Sequence, residues 1–269
     1  MLPPPLPSGT FLGHRSTTAS VVGFKAGLWR ASVPPENVHT HTHEDAHFVL
    51  AVDGGYQSLA HDRLTPAGHG FGPGALIWNP PGIEHRDSFE TVGGRFLSVS
   101  FMPPKGAARG EPSRLRHPVA EAAARRLVGA VSGHKDGDAI KLEGLLLDMA
   151  AAVLSPAELD EDPAPEWLLR ADQALRDLCR QPGLEVQDLA RIVGVHPVSL
   201  ARRYRRHFGI SPATAIRRAR VDRAVGDLAV GMDLAELAAR GGYADQSHLT
   251  REFRALYGLT PGRYRAAFV

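Results

Sequence analysis

Over the first hundred residues, apolar positions come in short runs such as "HFVLAV" (47–52), "GALIWNP" (74–80) and "GRFLSVSF" (94–101), separated by turns rich in glycine and proline. Runs of this length between chain-breaking residues predict β-strands, and several at such spacing predict a barrel or sandwich. From residue 118 the period changes. "PVAEAAARRLVGAVSG" (118–133) and "DAIKLEGLLLDMAAAVL" (138–154) place apolar residues three and four apart, which predicts two amphipathic helices joined by the loop "HKDG". Their apolar faces exceed what a small barrel must cover, so one of them is expected to pair with its copy in a homodimer. The proline-rich, acidic stretch "SPAELDEDPAP" (155–165) then reads as a linker. The expected division is a β-barrel at 1–117, a two-helix dimerisation segment at 118–154, the linker at 155–165 and an all-α domain at 166–269.

The last hundred residues repeat themselves. "RRYRRHFGISP" (202–212) lies over "REFRALYGLTP" (251–261) at an offset of 49, matching Arg202 to Arg251, Tyr204 to Phe253, Gly209 to Gly258 and Pro212 to Pro261. Upstream of each copy a short amphipathic stretch ends in glycine, "VQDLARIVG" (186–194) and "LAELAARGG" (234–242). Gly194 and Gly242 permit a sharp turn, after which the second helix packs across the first through Leu189 with Leu200, or Leu237 with Leu249. Each copy reads helix, turn, helix. Pro197 suits the first turn of one second helix and Asp245 suits the N-cap of the other.

Charge changes the picture. The chain of 269 residues has a net charge of +2, but residues 1–164 carry 14 basic against 18 acidic groups, while residues 165–269 carry 17 against 11, and all seventeen are arginine. Arginine's planar fork of donors suits phosphate oxygens and guanine edges, so the second half points to nucleic acid. The faces predicted to point outward hold residue types that bind bases and phosphates: Val198, Ser199, Ala201, Arg202 and Arg206 in one copy, and Gln246, Ser247, Thr250, Arg251 and Arg254 in the other. The single cysteine, Cys179, reads as a buried thiol in a reducing cytoplasm. The longest apolar run, "GLLLDMAAAVL", is interrupted by Asp148 and too short to span a membrane.

From "PEWLLRADQAL" to the C-terminus the chain resembles the AraC-type transcription regulators, on the strength of "DLARIVGVHPVSLARRYRRHFGISP" and "LAELAARGGYADQSHLTREFRALYGLTPGRYR". The resemblance implies two helix-turn-helix units joined by one long helix, "PATAIRRARVDRAVGDLAV" (212–230), which sets two recognition helices one DNA turn, ~34 Å, apart. It implies base contacts from Val198, Ala201 and Arg202, and from Gln246, Ser247, Thr250 and Arg251, with Arg205, Arg206 and Arg254 better suited to phosphates. The first set is poor in polar groups, so Arg202 is expected to carry most of that half-site's reading. RNA polymerase is a further partner such a regulator would have.

The remaining signal is "HTHTHEDAH" (39–47), four histidines in nine residues. Together, "HTHEDAHFVLAVDGG" and "GPGALIWNPPGIEH" resemble the paired motifs of the cupin barrel. That resemblance implies an interior site of His41, His43, His47 and His85, with His39 at the rim and His61 and His69 as weaker candidates. Neutral imidazoles suit a divalent transition metal such as Zn, Ni or Fe, whereas a packed, hydrogen-bonded interior without metal is the competing reading. Phe48, Phe71 and Trp78 are expected to line an effector pocket. The expected fold class is thus multidomain α and β, a cupin-like barrel plus two helices followed by a double helix-turn-helix. The expected function is a non-enzymatic, sequence-specific transcription regulator that answers to a small molecule or metal. The alternative is a metal-dependent cupin enzyme carrying a DNA-binding domain, with Glu44, Asp45 and Glu84 as the acids within reach.

Overall fold

The structure, a computed structural model, describes residues 5–21, 23–60, 70–104, 112–133, 139–154 and 164–268. The loop "HKDG", residues 155–163 of the linker, His61 and His69 lie outside the described residues. Six strands form one antiparallel sheet in the order β1 (Gly13–Val21), β2 (Phe24–Ala31), β7 (Arg95–Phe101), β3 (Ala46–Ala51), β5 (Leu76–Asn79) and β8 (Ser113–Arg114). A second, two-stranded sheet pairs β4 (Tyr56–Ala60) with β6 (His85–Phe89). The two sheets face each other, with Tyr56 and Phe89 of the small one packed among Trp29, Val49, Ile77 and Phe96 of the large one.

The outer face of the large sheet is covered as well. Phe48, Leu50, Trp78, Leu97 and Phe101 form one apolar cluster with α1 (Pro118–Ser132) and α2 (Ala139–Leu154). All six residues of β3 are therefore buried, and the strand reads as a continuous apolar run instead of an alternating one. This corrects one expectation. Phe48 and Trp78 stack on each other at 4.8 Å between centroids on the helix side of the sheet, away from the histidines on its other face.

The C-terminal half is helical: α3 (Glu166–Leu178), α4 (Val186–Ile192), α5 (Pro197–Phe208), α6 (Pro212–Ala229), α7 (Leu234–Arg240), α8 (Gln246–Tyr257) and α9 (Pro261–Phe268). Its two units do not share a core. Leu168, Leu175, Leu189, Leu200, Tyr204, Phe208 and Ile216 make a cluster of their own under α5. Leu237, Leu249, Phe253, Tyr257 and Tyr264, under α8, are continuous with α1, α2 and the sheet.

Helix α1 reaches both units. At its start Pro118 lies against Gly209, where a Cβ would come within 2.2 Å of the proline ring; near its end Gly129 lies against the Tyr257 carbonyl, 2.5 Å from where its own Cβ would be. Gly209 and Gly258 close α5 and α8 with φ of +71° and +77°, the left-handed cap that glycine adopts without strain. The apolar face of α1 is thus used within the chain. Helix α2 keeps an outward row, with Ile140 86% and Leu147 51% exposed.

Candidate functional site

Each unit is built from a short helix, a glycine turn and a twelve-residue recognition helix. Helix α7 follows α4 at an offset of 48 and α8 follows α5 at 49, so the second turn (241–245) is one residue longer than the first (193–196). Gly194 and Gly242 carry φ of +70° and +76° within these turns. Asp245 caps α8 by accepting the His248 amide at 2.6 Å, and the His196 ring takes the same role for α5, accepting the Val198 amide at 3.3 Å. A fixed N-terminus aims the first turns of both helices outward. Val198, Ser199, Arg202, Arg205 and Arg206 are exposed on α5, and Gln246, Ser247, Arg251 and Arg254 on α8, while Ala201 and Thr250 are half-buried. The opposite faces carry Leu200, Tyr204 and Phe208, or Leu249, Phe253 and Tyr257, into the cores.

Both recognition helices are tied to the N-terminal half by the same device. Asp172 of α3 accepts from the Tyr204 hydroxyl of α5 at 2.7 Å and pairs with Arg176 and, at 3.1 Å, with Arg116. Asp222 of α6 accepts from the Tyr257 hydroxyl of α8 at 3.0 Å and pairs with Arg125 of α1 at 2.7 Å. Arg125 also donates to the carbonyl of Gly74, the turn before β5, and that glycine is obligatory: with φ of +84°, a Cβ there would lie 2.1 Å from the Asp222 carboxylate. Burial alone would raise the Asp172 carboxyl, but Arg176, Tyr204 and Arg116 hold it below its usual range. For Arg125 burial works against the charge, and Asp222 overcomes it, so the guanidinium stays charged. Sequence reasoning missed both links. The signal lay in "ADQALRDL" (171–178) over "VDRAVGDL" (221–228), a continuation of the repeat at an offset of 50 that superimposes the two aspartates.

Between the sheets the histidines converge. His41, His43 and His85 bring ligand atoms within 4.8 Å of one another, and so do His43, Asp45 and His47, and His47, His85 and Asp87. Four imidazoles therefore make overlapping triads and not one four-fold centre. Nδ1 of His41 donates to the His39 carbonyl and Nδ1 of His85 to the Ile83 carbonyl, both at 2.9 Å, which leaves each Nε2 lone pair free. Asn79 donates to Nε2 of His47 at 3.0 Å and to Asp87 at 3.1 Å, and Tyr56 donates to the same carboxylate at 2.5 Å. His85 Nε2, His43 Nδ1 and His47 Nδ1 are buried without a partner. Burial, with the neighbouring rings adding to it, pulls the imidazoles of His41, His43 and His47 below their ordinary value, His43 to about 3, so they are neutral and able to act as ligands. The cavity they line holds about 40 Å³. His39 is exposed and is not among the residues that line it. Of the acids, Asp45 is buried and accepts the Gly9 amide, while Glu44 is exposed. Asn79 and Asp87 were not singled out from the sequence, although Asp87 stands two residues after His85 on β6 and Asn79 pairs with His47 in register. Phe71 lines a different cavity, so the three aromatic residues expected around one effector share none.

A model of the helix-turn-helix domain family matches residues 189–267. No curated protein matches the chain. Among solved structures, the C-terminal domain of AraT, a response regulator from Geobacillus stearothermophilus, is 26% identical over 39% of this chain and 88% of its own, with a TM-score of 0.38. ToxT from Vibrio cholerae is 11% identical over 91% of this chain and 99% of its own, also at 0.38. An AraC-type regulator from Chromobacterium violaceum is 22% identical over 38% and 92%, at 0.35. Among the described residues no helix is long and apolar enough to cross a membrane. The matched segment coincides with two exposed helices on an arginine-rich surface: residues 189–267 are a helix-turn-helix domain.

Proposed function

We propose that α5 and α8 read one specific operator together, and that a divalent transition metal held by His41, His43 and His85 is the effector that sets how tightly they do so. The observation that carries the effector reading is the set of buried imidazole nitrogens with no hydrogen-bond partner on residues that line a cavity of about 40 Å³. A water molecule needs roughly 10–15 Å³ of such space, so an ion with one or two waters fits and a sugar-sized molecule does not. Nitrogen donors favour Zn, Ni or Fe over Mg or Ca. When bound, the ion supplies a fixed positive charge that holds three rings in one arrangement. Asn79 reserves His47 as a supporting group, and the backbone carbonyls of His39 and Ile83 keep the tautomers of His41 and His85 ready. Asp87 and Asp45 already accept hydrogen bonds from the fold, which supports sensing over turnover as the use of this pocket.

Regulation requires the metal to bind one arrangement of the two halves more tightly than another. On α2, Ile140, Gly144, Leu147, Ala151 and Leu154 recur at steps of 4, 3, 4 and 3, the seam along which a second copy would pair to make a homodimer. Such a dimer would act on RNA polymerase at a promoter in the cytoplasm. The test is metal loading of the full chain followed by footprinting. One Zn, Ni or Fe per chain, lost in His43→Ala, and an operator affinity that changes on chelation are expected. A chain that takes up none of these ions at micromolar concentration, or that footprints identically loaded and stripped, would overturn the metal-effector reading.

A further inference from the structure

Asp87 is the acid among the residues that line the imidazole cavity, and its surroundings are not those of a surface carboxylate. It stands two residues after His85 on β6, so the two side chains share one face of the strand, and both line the cavity. The strand is held on both flanks: β6 pairs with β4 at Ser58 and Asp87 and at Ala60 and His85, while His41 and His85 exchange backbone hydrogen bonds at 3.0 Å. Tyr56 of β4 and Asn79 of β5 donate to one oxygen of the carboxylate, Oδ2, at 2.5 and 3.1 Å; the other, Oδ1, is buried with no hydrogen-bond partner. Among the described residues the only basic side chain at ion-pair distance from this carboxylate is that of His85, with 3.9 Å from Nε2 to Oδ2; Arg86, between them in sequence, bonds the Pro35 carbonyl instead. That separation is too long for a hydrogen bond. It suits two donors that share one ion at about 2.0–2.2 Å each, which stand roughly 3–4 Å apart. His85 has Nδ1 committed to the Ile83 carbonyl and Nε2 buried without a hydrogen-bond partner, so Nε2 is the atom the ring offers.

We propose that Asp87 is a fourth ligand to the metal held by His41, His43 and His85, and that its carboxylate confines the site to divalent ions and against copper(I). This rests on the metal reading of the pocket and adds the group that sets its charge. Three neutral imidazoles leave the whole double charge of an ion in a dry pocket, and one carboxylate beside it removes half. An anionic oxygen is a hard donor, which disfavours the soft monovalent ion that nitrogen and sulfur ligands accept. Tyr56 and Asn79 are then positioning residues. Asn79 bonds both Asp87 and His47, so one amide fixes the carboxylate that binds and the imidazole that supports. Asp45, the other buried acid near the rings, accepts the Gly9 amide and does not line the cavity.

Titration of the full chain with Zn against a competing chelator tests this. Asp87→Asn, which keeps the shape and can still accept from Tyr56, should bind Zn about a hundredfold more weakly and take copper(I) no less tightly than the unaltered chain. Tyr56→Phe, which removes one bond to the carboxylate, should lose about tenfold. Asp45→Asn should leave the affinity unchanged. Loaded with cobalt(II), the chain should change its visible spectrum in Asp87→Asn and keep it in Asp45→Asn. X-ray absorption of the unaltered, Zn-loaded chain needs no substitution in the core, and three imidazoles with oxygen completing the shell are expected. Four imidazoles around the Zn, a Zn affinity that survives Asp87→Asn, an unchanged cobalt spectrum, or an equal loss in Asp45→Asn would each overturn the proposal and leave the metal reading standing. A chain that takes up no divalent ion overturns both.

Discussion

The two helix-turn-helix units are copies in sequence and in backbone, yet they are held in different ways. The first closes on its own core, and its tie to the rest of the chain runs through Arg116, which is 38% exposed. The second is built into the apolar body that also contains α1, α2 and the sheet, and its tie, Arg125, is 4% exposed. The same Tyr–Asp–Arg arrangement therefore sits in water-accessible surroundings in one unit and in dry ones in the other. Solvent screens the first pair and leaves the second at nearly full strength.

That contrast is open to attack at several points. Asp222→Ala leaves Arg125 charged and buried, and should cost about 3–5 kcal/mol of stability, read from denaturant midpoints. Asp172→Ala, which orphans the Tyr204 hydroxyl but leaves arginines that water reaches, should cost about 1–3 kcal/mol. Equal losses would break the comparison. On DNA, Arg202→Ala should remove about 1–3 kcal/mol of discrimination at one half-site, while Arg251→Ala does the same at the other, where Gln246 and Thr250 retain some reading. Selections on randomised operators check this; a loss of affinity without relaxed preference would reassign Arg202 to the phosphates. Acid should separate the units as well. The Asp172 carboxyl lies below its usual value, so its contribution is complete above about pH 4, the unfolded carboxylate value, and disappears as pH falls through the lower folded one. Near-ultraviolet dichroism from Tyr204 should be flat from pH 8 to 5 and change only in stronger acid. The smallest effect belongs to Arg206→Ala, which should weaken all sequences alike and lower the salt slope by about one.

Much of this was legible from residues alone because the signals are local. The 49-residue repeat places α5 and α8 to the residue, Asp245 is the N-cap that a short acidic side chain before an apolar-periodic helix predicts, and the clustered histidines do meet inside the protein. What stayed hidden is non-local or two-sided. That Phe48 faces the helices is not legible in the sequence, because β3, covered on both sides, has no alternation to tell inside from outside. The final helix, α9, is too short for periodicity to register and is held by Tyr264 packing on Phe253 and Tyr257. Asp87 carries no local signal, because the group that bonds it, the Tyr56 hydroxyl, comes from the neighbouring strand.

The bridge between Arg125 and Asp222 joins positions 97 apart, and α8 is bedded on a helix that leaves the ribosome long before it. Contacts of such separation form slowly, because the intervening chain must be closed into a loop before they stabilise anything. During synthesis the first unit can condense as soon as α6 emerges, whereas the second finds its seat only on an N-terminal half that is already in shape. A nascent chain whose N-terminal half has misfolded would therefore present one helix-turn-helix unit in place and not two.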